Sequence, residues 1–540
     1  MQKGGLPALT PVFTIILLLC GFAPSKLQAQ SPSNVDYVGW LPYDVRLSDV
    51  WGYTDPTGRE YALVGVLDGL SIVDLQDPAN PVEVQFIPGK PSIWRDIKTW
   101  NDHAYITNET GGGLFIVDLT GLPGSVDTTS YRERELWTGH NIFIDENGIA
   151  YVVGANIDNG GATILDLNPD PKNPLFLGAY TDFYVHDLFA QGDTLYTAEI
   201  SNGQLGIVDV SDKTNPFLLA NQTTPIGLTH NSWLSPDGNT LAITEEFPGG
   251  HVVTYDVSDP ADIRELGRYR SNLEVNVIPH NTFYVNDWLV TSSYVDGVTV
   301  VDASRPSNLV ETGRFDTSPI PPVAEFGGCW GVYPYAPSGL IYATDIEEGL
   351  FILSPKYKRA AYLEGTVRES TSGNPILYAR IELLGSGSPD QITDFTGNYA
   401  TGTADSGSYT VRVSASGCPS QLFPDVNLVS GQVTTLDPFL SCTSVAVVDP
   451  GLPSIQLDIT PAAFRGSTQL QYNLQAEPDE NPALEVFDPR GHRIERFSLT
   501  GLSGSVSLGE AWAAGYYILK ISGLGTPGQD SRTIRVVKLH

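Results

Sequence analysis

Four of the chain's eight histidines recur in one local context, each followed by Asp or Asn: His140-Asn141, His186-Asp187, His230-Asn231 and His280-Asn281. Three further pairs occupy matching places, Ser48-Asp49, Arg95-Asp96 and Cys329-Trp330. Imidazoles gathered with carboxylates offer the mixed nitrogen and oxygen donors that suit a divalent metal ion. They also offer acid–base groups that change charge near neutral pH. With Trp51, Trp330 and Tyr333 close in sequence to the same positions, a sugar or a peptide is a third occupant to consider. The same pattern has an architectural reading, in which the Asx residue caps a turn and the histidine bridges backbone groups. A position repeated in most units suits architecture better than catalysis, because an active site needs asymmetry. Ser48, Arg95 and Cys329 break the pattern, and the Arg95 guanidinium would repel a cation in its own sector.

These pairs are spaced by a longer repeat. The phrase GLSIVD at 69–74 returns as GLFIVD at 113–118 and GATILD at 161–166, then as QLGIVD, HVVTYD and GVTVVD at 204–209, 251–256 and 297–302. A degenerate copy, GLFILS, occupies 349–354, and the closing residues lie 44, 48, 43, 47, 46 and 52 apart. A period in the forties with strand-like content is the mark of a four-stranded propeller blade. Asp-Pro and Asn-Pro turns such as Asp77-Pro78, Asn215-Pro216 and Asp259-Pro260 end the third strand of each unit. The seventh unit stops after that strand, while residues 35–43 read as an outer strand with no unit of their own. Pairing the two closes a ring of seven blades over 31–357 and removes its open edges.

In this arrangement the His-Asx pairs begin the inner strands, so His140, His186, His230, His280 and Arg95, with Asp49, Asp96, Asp187 and Trp330, ring one mouth of the central channel. The loop after each second strand opens on the same face and brings acids there, among them Glu109, Glu199, Glu245 and Glu246. A divalent metal held by the four histidines with Glu199 and Glu245 is the metal reading of the mouth. The closing Asp residues are read as structural.

The GLxIVD phrase and its Pro-containing turn resemble the LVIVD-repeat proteins, and more narrowly the choice-of-anchor B family of exported bacterial proteins. That resemblance implies a shared propeller joined to varying C-terminal attachment devices, and it assigns no biochemical role. Beyond Tyr362 the period is lost. Short strands such as ARIEL at 379–383 and GSYTVRV at 407–413, separated by Gly and Asp turns, indicate a small β-sandwich. This stretch, taken as 358–449, resembles a carboxypeptidase regulatory-like domain, a non-catalytic module. Residues 450–540 form a second sandwich-like unit. Its order of motifs, DPRG at 488–491, GYY at 515–517 and a basic last strand, resembles the type A sorting domain of the type IX secretion system. The resemblance implies transfer across an outer membrane by that secretion machinery, then release or surface attachment.

Composition narrows the partners. Acids number 62 and bases 30, a net charge of −32, which argues against nucleic-acid binding and favours attraction of cations. Lys3, the apolar run 12–20 and the Leu27-Gln28-Ala29 site read as a signal peptide over 1–30. No later apolar stretch is long enough to span a bilayer. In an exported chain Cys418 and Cys442 are candidates for a disulfide. HExxH, GxSxG, CxxC and GxxxxGK motifs are absent. The reading is an all-β protein, a seven-bladed propeller and two small sandwiches, extracellular or on the outer-membrane surface. Its leading function is non-catalytic binding of an extracellular polysaccharide or protein. A hydrolase or lyase using the His/carboxylate mouth, and an adhesion scaffold with a purely structural ring, are the alternatives.

Overall fold

The computed structural model describes residues 32–442 except 273–275, 319–325 and 395. It also describes 455–538 less 461–462, 465, 475–482, 488–492, 500, 502, 511, 513–514 and 523–531. The signal segment 1–30 and the DPRG turn at 488–491 lie outside the described residues.

Among the described residues up to 355, the chain forms seven four-stranded sheets. Six are continuous in sequence: 47–88, 97–131, 141–180, 187–223, 229–269 and 282–315. The seventh takes three strands from 329–355 and its outer strand from Val35–Leu41, which runs antiparallel to Gly349–Pro355 with Val35 opposite Pro355. The first strands of successive sheets lie against one another, and the contact of Leu47–Thr54 with Cys329–Tyr333 completes the circle. This is a β-propeller.

The repeat phrase is buried on both faces because each sheet is flanked by two others. All six residues of Gly69–Asp74 are buried. One core cluster joins Leu63 and Ile72 of the first sheet to Ile97 and Ile106 of the second. Another joins Val50 and Ala62 to Tyr342 and Ile352 across the point of closure. The closing Asp residues act locally, as expected. Asp74, Asp118, Asp166, Asp209, Asp256 and Asp302 each accept the backbone N–H two residues on, at 2.8–3.1 Å. Each thereby fixes the turn that leads into the outer strand.

Residues 361–440 pack two main sheets around Leu363, Ile381, Tyr399, Val411 and Val413, and Cys418 is bonded to Cys442. Beyond 455, a three-stranded and a five-stranded sheet share a core that includes Leu470, Leu484, Leu519 and Val536.

The first of these domains is anchored to the propeller by charge. Asp302, fully buried at the end of the sixth repeat, accepts from Arg359 at 3.0 Å and from the Ala360 N–H at 2.8 Å. Arg359 also pairs with Asp287 and lies 4.0 Å from the Trp288 ring centroid. Arg305 and Glu364 form a two-point pair at 2.9 Å for each contact. Arg359 is one-third exposed and Asp302 keeps the Ala360 and Ser304 N–H donors, so loss of the arginine costs about 1–3 kcal/mol, the scale of a lost partner to a charged group. Arg359→Ala is therefore expected to lower the unfolding free energy by about that amount, whereas Lys356→Ala, at an exposed ion pair, shifts it by less than about 1 kcal/mol. Urea titration of the full chain checks both values.

Candidate functional site

At the start of each sheet's first strand the histidine place, the residue after it and the residue three after it stand in three layers. The first layer is the mouth. His140, His186, His230 and His280 form an arc of touching rings with centroid separations of 4.0, 4.5 and 4.5 Å. The arc ends on Trp330, 4.4 Å from His280. The seventh sheet is thus shifted by one residue from the sequence alignment. Trp330, and not Cys329, takes the histidine place, while Cys329 is fully buried in the core between the sixth and seventh sheets. Gly331 takes the Asx place. A Cβ there would come within 3.0 Å of the Val50 nitrogen and 3.1 Å of Asp49 Oδ1, so no larger residue fits.

The second layer holds neighbouring sheets together. Asp49 Oδ2 accepts the N–H of Ile97 at 3.2 Å, Asp96 Oδ2 that of Ile142 at 3.0 Å, and Asn231 Oδ1 that of Thr282 at 3.0 Å. In each case the donor follows the Asx place of the next sheet. Asp187 accepts from Asn231 Nδ2 at 2.8 Å and from the Leu188 N–H at 2.6 Å. All four therefore reach across to the following sheet, the blade-to-blade tie that the architectural reading expects of this position, and none of these bonds caps a turn. Burial, with the neighbouring Asp96, holds the Asp49 carboxyl well above the usual carboxylate range. Burial also pushes Asp187 up to about 6. Lys98 lies among these acids, 2.9 Å from Asp96 and 4.4 Å from the Trp51 ring centroid. Burial works against its charge, but Asp96 and Asp49 outweigh burial and raise its pKa.

The third layer is aromatic. Phe143, Phe189, Trp233 and Phe283 follow one another at 5.0, 5.0 and 4.7 Å, and Trp51 meets Tyr333 at 4.9 Å. Lys98 is the non-aromatic member of this row. The mouth encloses about 50 Å³, lined by the histidines, Glu246, Tyr294 and Trp330 together with Asp96, Asn141 and Asn281 of the second layer, and no member of the aromatic layer reaches it.

The hydrogen bonds of the mouth fix which imidazole nitrogen is bare. His230 Nδ1 lies 3.1 Å from the His280 carbonyl and His280 Nδ1 lies 2.6 Å from that of Trp330. A carbonyl oxygen only accepts, so both Nδ1 atoms carry the proton, and the Nε2 lone pairs remain free. The same two bonds tie the fifth sheet to the sixth and the sixth to the seventh, as the architectural reading expects. His140 Nδ1 bonds to Glu109, and its Nε2 faces His186 Nε2 at 3.0 Å. Glu246 reaches in from the loop after the second strand of the fifth sheet. Its carboxylate lies 3.4 Å from His230 Nε2 and 3.9 Å from His280 Nε2, and it accepts from the Tyr294 hydroxyl at 2.6 Å.

Among the described residues, His186, His230 and Glu246 form a metal-competent group, with ligand atoms all within 4.8 Å of one another. Two expected ligands fall elsewhere. Glu199 is fully buried and accepts from Thr197 at 3.0 Å and Gln204 at 2.5 Å. Glu245 bonds to the Ile226 N–H and pairs with His251 at 3.5 Å. Glu245 is the last residue of its strand and is fully buried, whereas Glu246 is the first residue of the loop and is the acid that turns into the mouth. Arg95 stays in the mouth lining, but its guanidinium is bonded to backbone carbonyls. Lys98 and Tyr294 were missed by sequence reasoning. The available signal for Lys98 was a cation in a place that is aromatic in the other six first strands.

The repeats match the LVIVD repeat model over residues 59–87, 184–224 and 294–317. The chain carries LVIVD repeats. Residues 362–441 match the carboxypeptidase regulatory-like domain. Among curated proteins, none matches the LVIVD-repeat chain. Among solved structures it is similar to the β-propeller domain of Cps50 (Swd1) from Myceliophteria thermophila. The identity is 11%, over 59% of this chain and 99% of that one, with a TM-score of 0.42.

Burial and the neighbouring imidazoles lower His186 and His280 well below the usual value of 6.5, and burial lowers His230 against the pull of Glu246. The unfolded chain then takes up protons below about pH 6.5 that the folded chain refuses, so acidification lowers stability in that window. Asp187 and Asp49 act in the opposite sense, because their folded forms hold protons that the unfolded chain releases. A His186→Gln, His280→Gln double variant removes two of the three depressed histidines and leaves His230 and the acids in place. Its melting temperature is expected to fall less than that of the unsubstituted chain between about pH 7 and about pH 5.5, as scanning calorimetry at metal-free conditions would show.

Proposed function

We propose that this chain is an exported binding protein whose seven-bladed propeller head holds one late first-row divalent metal ion at its mouth. The observation that carries the reading is the convergence of His186, His230 and Glu246. The supporting chemistry is the bare Nε2 of His230, fixed by the Nδ1 bond to the His280 carbonyl. Donation by the far ring N–H to an acceptor is the usual way in which a ligating histidine is oriented. Neutral imidazoles need shed no proton on binding, so affinity persists below neutral pH. His140 and His280 flank the three ligands and complete the nitrogen-rich wall that favours such an ion over calcium or magnesium.

The small volume of the mouth favours an ion with a few waters, and a sugar ring is too large for it. An extracellular polysaccharide or protein would therefore meet the rim and not the pit. Export rests on the signal-like segment at 1–30 and on the resemblance of 450–540 to a type IX sorting domain. Membership of the choice-of-anchor B family belongs to the same proposal. A purely structural ring is the second reading, favoured by the bonds that run from His230 and His280 to the next sheet's carbonyls. The two readings separate experimentally.

Purified full chain, exposed to zinc or nickel and dialysed, is expected to retain about one equivalent of metal. The His186→Ala, His230→Ala variant should lose it, and Glu246→Gln should bind at least about tenfold more weakly, each with the far-ultraviolet circular dichroism spectrum unchanged. Metal analysis together with competitive chelator titration measures this. Absence of retained metal, or equal retention by the folded double variant, would leave the ring with its structural role alone.

A further inference from the structure

Arg95 is the member of the mouth whose chemistry the metal reading leaves unused. It is 4% exposed. Its Nε donates to the Val66 carbonyl at 2.9 Å and its Nη2 to the Leu67 carbonyl at 3.4 Å and to that of Lys90. These bonds occupy one edge of the guanidinium. Among the described residues no hydrogen bond is made by Nη1, which lies 3.4 Å from the position of a Cβ built on Gly89. Gly89 lines a separate cavity of about 190 Å³ between the first and second sheets, and Arg95 lines it too.

The cavity is unlike the rest of the molecule. Lys90 and Arg132 join Arg95 in its wall, and no Asp or Glu lines it, although the chain has twice as many acids as bases. Gly111, Gly112 and Gly113 form the rim with φ of 110°, 115° and 81°. A Cβ on Gly111 would stand 3.0 Å from Lys90 Nζ, and one on Gly113 would strike the Tyr131 carbonyl at 2.4 Å. Side chains on this loop would fill the space that the glycines keep open. Arg132 Nε donates to the Gly112 carbonyl at 2.8 Å, which fixes the side chain beside the loop. The floor is apolar, made by Leu70, Ile87, Ile106 and Phe115.

We infer that this cavity binds one acidic sugar unit, with its carboxylate or sulfate on Arg95, Lys90 and Arg132 and its apolar ring face on the floor beside Phe115. Guanidinium and ammonium donors to an oxyanion form short, charge-assisted bonds. The size is below the roughly 300–1,000 Å³ of pockets that enclose drug-sized ligands, which suits a single ring. The overall negative charge does not prevent this. At physiological salt, fields from acids beyond about 8 Å are screened, whereas contact pairs are not. The inference is independent of the metal reading, because no metal-competent residue lines this cavity.

The test is isothermal titration of the full chain with galacturonate, galactose and sulfate at constant ionic strength. Galacturonate is expected to bind, sulfate to compete with it, and galactose to bind at least about tenfold more weakly. Lys90→Glu and Arg132→Glu, both at exposed positions, should each weaken galacturonate about tenfold or more, the loss of one charge-assisted contact. Their melting temperatures and retained metal should be unchanged. Arg95→Gln should weaken it further, with folding verified by the same melt. Failure of galacturonate to bind, equal binding of galactose, or undiminished binding in the Lys90→Glu, Arg132→Glu double variant overturns the inference.

Discussion

The interaction on which the rest depends is the bond from a buried Asx oxygen to the first-strand N–H of the next sheet. Asp49, Asp96 and Asn231 each make it. A propeller sheet has no hydrogen-bonded neighbour of its own kind, so nothing in the ladder fixes the offset between one sheet and the next. Apolar packing between sheets is strong but tolerant of sliding. The directional Asx bond supplies the missing constraint. It sits one residue from the histidine place, so it also determines how far apart the rings above it lie. Of the ring separations, the 4.5 Å between His230 and His280 spans a junction that this bond holds.

This arrangement carries a cost that the mouth uses. A layer of buried acids and one buried lysine is held in place by hydrogen bonds and by the aromatic layer, and the protonation equilibria of Asp49, Asp187 and Lys98 are all displaced. The pKa values of His186, His230 and His280 above are lowered, so burial holds these imidazoles, like Asp49 and Asp187, toward the neutral form. The resulting mouth has lone pairs directed inward and little net positive charge. Architecture and ligation are therefore not rivals at these residues. The Nδ1 bonds that link sheets are the same bonds that prepare Nε2 as a donor.

Much of the propeller was legible in the sequence because its signals are local and repeated. The GLxIVD phrase, the turn that follows it and the unpartnered outer strand at 35–41 depend on short-range pattern, and the structure pairs them accordingly. The Cys418–Cys442 bond was also visible, from spacing and an exported context. The site was only partly legible. The His-Asx series identified the mouth but misplaced its seventh member, because Gly331 and not an Asx follows Trp330 there. Trp330 lies at the bulge between Cys329 and Gly331 just as His230 lies at the bulge between Thr229 and Asn231, and strand pairing of this kind is not recorded in local pattern. The choice of Glu246 over Glu245 likewise depends on which way one residue faces at a strand end. The alternation rule gives two answers there until the strand's last residue is known.

The pairing of Val35–Leu41 with Gly349–Pro355 joins the two extremes of the ring across more than three hundred residues of chain. Contacts this distant in sequence form late, after the loop they close has lost its freedom. The six sheets that are continuous in sequence can each assemble from local hairpins, but the seventh has to await both ends. Until then its third strand presents an unpaired edge, and a second copy of the same N-terminal strand would fit it as well as the chain's own. Closure is thus a contest between an intramolecular strand at high effective concentration and intermolecular ones at low concentration. A crowded environment would shift that contest toward strand exchange between molecules.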